Sequence, residues 1–252
     1  ANYMDWLHED PEAKTLIKKL IGAKEFSEGT QRWCLWIEDE MKELALSVPP
    51  IANRIKQVAK MRTSSTKLPT QRLASVSHRF GEVRHKESNS IIVPRHGSDR
   101  REFLIFGFLD SSIVVSDAAQ IIYTDEVYIF GLISSRMHLS WIKVSCGKIK
   151  EDPRYSSALG YNNFPVPKLN ESQKNLISIA VFDILSERAK HPELSVSKQY
   201  DPDNMPEGLL RAHDKLDGIV DSCYRKEAFL NELDRLEFLF HKYEMMIGGQ
   251  NA

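Results

Sequence analysis

The sequence predicts an α+β protein, in which a small, mostly antiparallel sheet with packed helices is followed by an all-α helical bundle. Two patterns indicate this order. Between residues 89 and 128 the apolar residues fall in short runs with turn signals between them, as in an antiparallel sheet of short strands. After residue 168 they recur every three or four positions over long segments, as in a bundle. We therefore divide the chain into residues 1–168 and residues 169–252.

The first fifty residues carry a helix signal, a strand signal and a second helix signal. Residues 11–21 are predicted helical, because Asp10 suits an N-cap, a proline follows it, and the apolar residues form one stripe. Residues 33–37 are all apolar, which is typical of a buried strand. Residues 39–46 are predicted to form a helix that ends before a Pro-Pro pair.

The middle of the chain combines a basic helix with the predicted sheet. Residues 51–62 have the pattern of a basic amphipathic helix, and a polar loop follows them. The four predicted strands cover residues 90–94, 102–106, 112–115 and 120–123. Residues 129–147 place apolar side chains at gaps of three and four. This spacing predicts one long helix that packs on the sheet and ends at Gly147, a residue that tolerates left-handed φ.

Four segments of the C-terminal part are predicted helical. They cover residues 172–189, 194–200, 207–224 and 229–246, and Asn170 or Ser172 suits the cap of the first. His213 lies on the apolar face of the third segment. A histidine there is more often a core residue with a hydrogen-bond partner than a ligand, so we expect His213 to be buried.

The charge is unevenly distributed. The chain has a formal net charge of −1, but residues 52–101 hold 12 Lys and Arg against 3 Asp and Glu, a net charge of +9. Such a segment is a plausible binding surface for a polyanion, because cationic side chains release counterions when they meet phosphates. It could equally be a solvated basic segment, or one that docks on the acidic flanks of its own chain.

Several classes of protein are excluded or disfavoured. The sequence has no apolar run long enough to cross a membrane and no recognisable signal peptide. The three cysteines, Cys34, Cys146 and Cys223, match no zinc spacing and indicate a reducing compartment. No dinucleotide fingerprint, P-loop, HExxH motif or EF-hand loop occurs. We therefore expect binding rather than a self-contained active site, in a chain that starts with Ala and is part of a longer or processed polypeptide.

The segment after the long predicted helix alternates cations and anions. Residues 148–155 read Lys-Ile-Lys-Glu-Asp-Pro-Arg-Tyr, and the proline stiffens them. A stiff charged loop at the end of a packed helix can present hydrogen-bonding groups to a ligand. A surface loop with solvated charges would have the same pattern.

Three groups of residues, in this order, resemble the MmeI-like DNA methyltransferases, which are single-chain restriction–modification enzymes that methylate adenine N6. The first group is residues 12–26 and 32–36. The second is Phe130-Gly131, Met137-His138, Trp141, Gly147, Arg154-Tyr155-Ser156 and residues 161–165, which are similar to the target recognition domain of that family. The third is Tyr200-Asp201-Pro202, Met205-Pro206, Ala212-His213, Leu216-Asp217 and Tyr224, which look like its C-terminal helical domain.

The resemblance implies residues that would contact DNA. The implied base-reading positions are Arg95 with Asp117, Ala118 with Arg154, and Lys150 with Asp152. The chemistry is suitable, because Arg or Lys donates to guanine O6 and N7, and Asp accepts from cytosine N4–H in the major groove. The basic segment would contact phosphates, which position the protein without specifying sequence. The implied phosphate contacts are Arg54, Lys56, Lys60, Arg62, Lys67 and Arg72.

The resemblance also implies what lies outside this sequence. The motifs that bind S-adenosylmethionine and perform catalysis precede the matching region in that family and are absent here. We therefore expect no cofactor in this chain, S-adenosylmethionine in the parent enzyme, and double-stranded DNA and an upstream methyltransferase domain as partners. The expected location is the cytoplasm, with no membrane contact.

Two other interpretations remain open. The chain could be a protein-interaction or scaffold module whose basic segment docks on an acidic partner; it would then show no preference among DNA sequences. It could also be an enzyme with an unrecognised site, which turnover by the chain alone would reveal.

Overall fold

The computed structural model of the protein describes residues 12–97, 100–149 and 152–248. Its helices are α1 (Ala23–Glu28), α2 (Lys42–Ser47), α3 (Pro49–Thr63), α4 (Leu68–Arg72), α5 (Val127–Ser134), α6 (Arg136–Ser145), α7 (Glu171–Ala189), α8 (Val196–Gln199), α9 (Glu207–Tyr224) and α10 (Glu232–Gly248). Its strands are β1 (Ile17–Ile21), β2 (Trp33–Leu35), β3 (Ser90–Pro94), β4 (Gly107–Leu109), β5 (Val114–Val115), β6 (Ala119–Tyr123), β7 (Lys148–Ile149) and β8 (Asp152–Pro153).

The chain forms two compact units. The first unit contains the residues up to Ile21, Gln31–Glu87 and Ser111–Val114. The second unit contains Gly22–Thr30, Ser88–Asp110 and the residues from Val115 onward. Strand β1 pairs with β2, β3 pairs with β4 and β6, and β7 pairs with β8, in each case antiparallel. Together with the helical C-terminal part, they confirm the predicted α+β class, whereas the division at residue 168 stays a prediction.

The first unit contains a strand where the sequence predicted a helix. Residues 11–21 were predicted helical, but a short 3₁₀ segment at Ala13–Leu16 leads into β1, which pairs with β2 so that Ile17 lies opposite Leu35. The apolar residues on either side of Lys18 and Lys19 fit a helical stripe as well as a strand. Pairing with β2, a contact distant in sequence, decides between the two.

The core of the first unit forms beside α3. Ile51 and Ile55 on one face of α3 pack with Ala45 and Val48, and with Leu16 from the segment before β1. Two prolines occupy the first turn of α3, where a missing N–H costs no helical hydrogen bond. The basic amphipathic helix predicted for residues 51–62 is therefore confirmed, with its apolar stripe inward.

The second unit is built on a three-stranded sheet with the order β4-β3-β6. Ile91 at its centre lies opposite Phe108 on β4 and Ile122 on β6. The strand predicted for residues 102–106 is wrong, because the pairing begins only at Gly107. Residues 102–106 instead form a non-strand segment whose Phe103 and Phe106 are buried in the core.

The single long helix predicted for residues 129–147 is two helices. Ser135 separates α5 from α6 with an extended backbone (φ −77°, ψ 157°), and its hydroxyl accepts the N–H of His138 in the first turn of α6 at 3.3 Å. Helix α6 ends at Ser145, and Gly147 does not take the left-handed conformation predicted for it. Gly29, which ends α1 with φ 71°, is the positive-φ glycine of the described ranges.

The helices of the C-terminal part share a core with the sheet. Asn170 caps α7 in a reciprocal arrangement with Gln173, as the sequence predicted. A Cβ atom on Gly131 of α5 would lie 2.3 Å from the Ile177 Cγ2 of α7, so these two helices approach as closely as glycine permits. His213 is fully buried, and its Nε2 lies 2.7 Å from the Tyr200 hydroxyl, which confirms its predicted core position.

Asp217 lies on α9, and its buried carboxyl group contacts the first residue of α6. Its Oδ1 accepts the Arg136 backbone N–H at 2.7 Å, and its Oδ2 lies 3.3 Å from the Arg136 Nε without hydrogen-bond geometry. Burial raises the pKa of Asp217 to about 7, against the opposing effects of the Arg136 N–H and guanidinium. The folded protein therefore holds a proton on this group under conditions where an unfolded chain does not.

We expect the stability of the protein to depend on pH through Asp217. The pKa of an unfolded Asp is about 3.9, so between that value and about 7 the folded state binds one more proton than the unfolded state. The free energy of unfolding should therefore fall as pH rises through this interval, by up to about 1.4 kcal/mol per pH unit. Urea unfolding of the wild type and of Asp217→Asn between pH 4 and pH 8 isolates this contribution. A difference between the two proteins that is constant over the interval would contradict it.

Candidate nucleic-acid interface

Most of the predicted base-reading residues meet at one edge of the second unit. Arg95 follows β3, and Asp117 and Ala118 form the turn before β6. Because Pro94 lies opposite Ala119 in the antiparallel pair, the end of β3 and the start of β6 leave the sheet together. A bridge between His96 and Arg154 then joins the end of β3 to the segment after β8. We call Arg95, His96, Asp117, Ala118 and Arg154 the strand-end cluster.

Hydrogen bonds to the main chain of Arg154 and Tyr155 hold this cluster together. The Tyr155 N–H donates to the Arg95 carbonyl at 2.8 Å, and the Gln120 side-chain amide donates to the Tyr155 carbonyl at 3.3 Å. One residue earlier, the Arg154 N–H donates to the Gly147 carbonyl at 2.8 Å, at the base of the β7–β8 hairpin. Three loops that are distant in sequence are thereby fixed relative to one another.

The side chain of Tyr155 anchors these bonds in the core. Its hydroxyl lies 3.0 Å from the Nε2 of His138, and both side chains are buried. Burial lowers the pKa of His138 to about 3 and raises the pKa of Tyr155 above its usual value. The pair is therefore a neutral hydrogen bond at neutral pH, and it positions the cluster without adding charge.

The exposed members of the cluster carry both signs of charge. Asp117, Ala118 and Arg154 are exposed, whereas Arg95 is half-buried. The Arg95 Nε is buried with no hydrogen-bond partner in the described part of the chain. Lys150 lies outside the described residues. Asp152 is the predicted partner of Lys150. The structure describes the Asp152 backbone, which pairs with Ile149.

Five of the six predicted phosphate-binding side chains are exposed on the first unit. Arg54, Lys56 and Lys60 lie on α3, and Lys67 and Arg72 lie at the two ends of α4. They form a basic surface within this unit. Part of the basic segment also contacts the acidic flank, since Arg79 donates to Asp39 at 2.8 Å.

Arg62 differs from the other predicted phosphate contacts because its guanidinium is turned into the protein. The side chain is buried, and it donates to the carbonyls of Leu73 and Val76 at 2.9 Å each and to that of Arg79 at 2.8 Å. These bonds close the segment after α4 onto α3. We therefore assign Arg62 to the fold and leave it out of the basic surface.

Arg62→Met is expected to destabilise the protein. It leaves three carbonyls without their donor, and because that segment is partly exposed, water replaces some of the lost bonds. We expect a loss of about 2 kcal/mol in the free energy of unfolding. Lys60→Met, an exposed position on the same helix, should change it by less than about 0.5 kcal/mol. Urea unfolding measures both, and equal losses would show that the carbonyl bonds of Arg62 carry no special weight.

The first unit contains a cavity of about 580 Å³. Apolar residues and Trp33 and Phe80 line it, together with Arg32, Arg54, Arg62 and Arg79, and no acidic residue contributes. This charge disfavours a sulfonium cation such as that of S-adenosylmethionine. No helix in the described ranges is both long and apolar enough to span a bilayer. Among the same residues, no three His, Cys, Asp or Glu side chains are grouped as metal ligands would be.

Sequence reasoning missed the residues that hold the cluster. Tyr155 and His138 were noted within motifs, but their contact could not be inferred, and Gln120 and His96 were not singled out. No local sequence signal connects these four residues. The register of β3 against β6, the His96–Arg154 bridge and the hydrogen bonds of Tyr155 show that they meet.

Two family models together match nearly the whole chain. The model of the MmeI target recognition domain matches residues 1–168, and that of the MmeI C-terminal domain matches residues 169–249. The chain belongs to the MmeI family. The resemblance inferred from the sequence is thereby confirmed.

Two relatives of this chain are considerably longer than it. DNA methyltransferase A of Bacillus subtilis (strain 168) is 36% identical over 246 residues, which are 98% of this chain and 28% of that protein. The solved structure of the Type IIL restriction–modification enzyme MmeI in complex with DNA superposes with a TM-score of 0.91 at 35% identity, and covers 97% of this chain and 33% of that one. The chain thus spans about a third or less of the relatives it matches.

Proposed function

We propose that this chain is the sequence-specific double-stranded DNA recognition module of an adenine-N6 DNA methyltransferase of a restriction–modification system. The observation that carries the proposal is the strand-end cluster, in which exposed charged side chains from separate loops meet at one edge of a rigid sheet. The likeness to MmeI, whose solved structure contains DNA, supports it. No catalytic role is assigned to this chain.

The cluster has the chemistry needed to read base pairs in the major groove. Arginine donates two parallel hydrogen bonds to guanine O6 and N7, and aspartate accepts from the N4 amino group of cytosine. Arg95 and Asp117 together would therefore read both bases of one G·C pair. By resemblance, Lys150 with Asp152 would read a second G·C pair, and Ala118 with Arg154 a third position.

The basic surface of the first unit would contact phosphates. Arg54, Lys56, Lys60, Lys67 and Arg72 are exposed and carry no sequence information themselves. Each phosphate neutralised lowers the slope of log K against log salt by about 0.9 for duplex DNA. Binding should therefore weaken steeply with salt at every DNA sequence.

Methyl transfer would belong to the remainder of a longer polypeptide. We propose that an upstream methyltransferase domain of the same parent chain binds S-adenosylmethionine, since the cofactor-binding motifs precede the matching region in the MmeI-like methyltransferases that the sequence resembles. The parent would act in the cytoplasm, where its DNA substrate is found.

Selection from a randomised duplex pool tests the proposed function. The chain is mixed with the pool at two salt concentrations, and the bound fraction is sequenced. We expect enrichment of a motif with fixed G·C pairs, and weaker binding at the higher salt. Binding that weakens with salt but enriches no motif would contradict sequence recognition and favour a scaffold module with a non-specific basic surface.

A further inference from the structure

His96 lies in the strand-end cluster between two residues already proposed to read bases. It follows Arg95 in the chain and is bridged across the strands to Arg154. Residues directly opposite each other in an antiparallel pair have side chains on the same face, with Cβ atoms about 4.5–5.5 Å apart. The His96 imidazole therefore stands beside the Arg154 side chain.

The exposed fractions show which way this face points. Side chains alternate between the two faces of a strand, and the next residue, Tyr155, is buried in the core. Arg154 and its partner His96 therefore face away from the core, and both are exposed.

The His96 side chain is exposed, so an external ligand can reach it. It also borders a cavity of about 180 Å³ that is lined mainly by apolar residues, together with Lys24, Glu28 and Arg101. Neighbouring strands lie about 4.8 Å apart and stacked base pairs about 3.4 Å apart, so side chains on adjacent strands can reach the same or adjacent base pairs.

We propose that His96 is a further specificity-determining residue, which contacts a base edge in the major groove next to the position read by Arg154. This inference rests on the proposed function. A neutral imidazole has one donor and one acceptor nitrogen. It can donate to guanine O6 or N7, or accept from the amino group of adenine or cytosine. A phosphate contact is the competing role for an exposed histidine, and it would leave base preference unchanged.

The test compares base preferences of the 252-residue chain and its variants in the same selection from randomised duplexes. His96→Ala should relax preference at one base pair by about 2- to 10-fold, the ratio expected for one lost hydrogen bond. That position should adjoin the one relaxed by Arg154→Ala, and the salt slope should stay unchanged. His241→Ala is the matched control, since His241 is exposed on α10 outside the cluster.

His96→Gln separates contact from structure, because Gln retains a donor and an acceptor. It should shift the preferred base at the same position while the melting temperature stays as in the wild type. If His96→Ala leaves base preference unaltered, the inference is overturned. This holds if the affinity falls with a shallower salt slope, as expected for a phosphate contact, and it also holds if the affinity does not change. If Arg154→Ala still relaxes a position, the proposed function survives that outcome. If the wild type enriches no motif, the proposed function fails and the inference fails with it.

Discussion

Arg95→Ala is expected to abolish most of the preference for guanine at one base pair, by a factor of about 5 to 150. This range corresponds to the 1–3 kcal/mol by which a bidentate arginine–guanine contact discriminates against other bases. The structure supports the role, because the Arg95 carbonyl is tied to Tyr155 while its Nε is buried without a partner among the described residues. The Arg95 backbone is thus held in place, and its half-buried side chain keeps a hydrogen-bond donor that no described residue uses. Competition binding against duplexes that differ at single base pairs measures the effect.

Arg72→Ala is the matched control for Arg95→Ala. Arg72 is an exposed arginine of the basic surface on the first unit. Its loss should weaken binding to all sequences alike and reduce the magnitude of the salt slope by about 1. If Arg95→Ala instead lowers the melting temperature and leaves base preference intact, Arg95 supports the fold and does not read DNA.

Arg188→Met is expected to have the largest effect on stability, a loss of about 4 kcal/mol in the free energy of unfolding. The Arg188 guanidinium donates to the Phe106 carbonyl at 2.7 Å and to the Tyr200 hydroxyl at 2.8 Å. It also lies 4.8 Å from the centre of the Tyr200 ring. The same hydroxyl is bonded to His213, so one side chain on α7 joins the residue after α8, the helix α9 and the segment before β4. Its removal leaves the Phe106 carbonyl and the Tyr200 hydroxyl, both in buried residues, without this donor.

Urea unfolding at pH 7 measures this loss, with Arg211→Met as control. Arg211 is exposed on α9 and pairs with Glu207 one turn away. Exposed pairs of this kind contribute about 0.3–0.5 kcal/mol. A similar small loss for Arg188→Met would mean that the core repacks around the methionine and that the bonds to Phe106 and Tyr200 are replaceable.

Local signals were sufficient where a single segment determines its own structure. The capped helix at Asn170, the basic helix of residues 51–62 and the apolar face around His213 were all predicted correctly. Each depends on residues within a few positions of one another. The α+β class followed from the same local patterns.

The predictions of secondary structure failed where contacts between residues distant in sequence determine the local conformation. Residues 17–21 became a strand because β2 pairs with them, and the long helix breaks at Ser135 although its apolar spacing continues through the break. In the cluster, the resemblance supplied Arg95, Asp117 and Arg154 by residue type. Neither the sequence nor the resemblance indicated that Tyr155 joins their loops.

The bonds that join these loops have a consequence for how the protein can change over generations. They run from the Tyr155 and Arg154 N–H groups to carbonyls and through the His96–Arg154 bridge, so they connect main-chain atoms. Main-chain bonds persist whichever side chain is present, and Asp117, Ala118 and Arg154 face solvent. Substitutions at these three positions should therefore cost little folding free energy. Evolving proteins can then replace the proposed DNA-contacting side chains one at a time while the backbone that positions them stays the same.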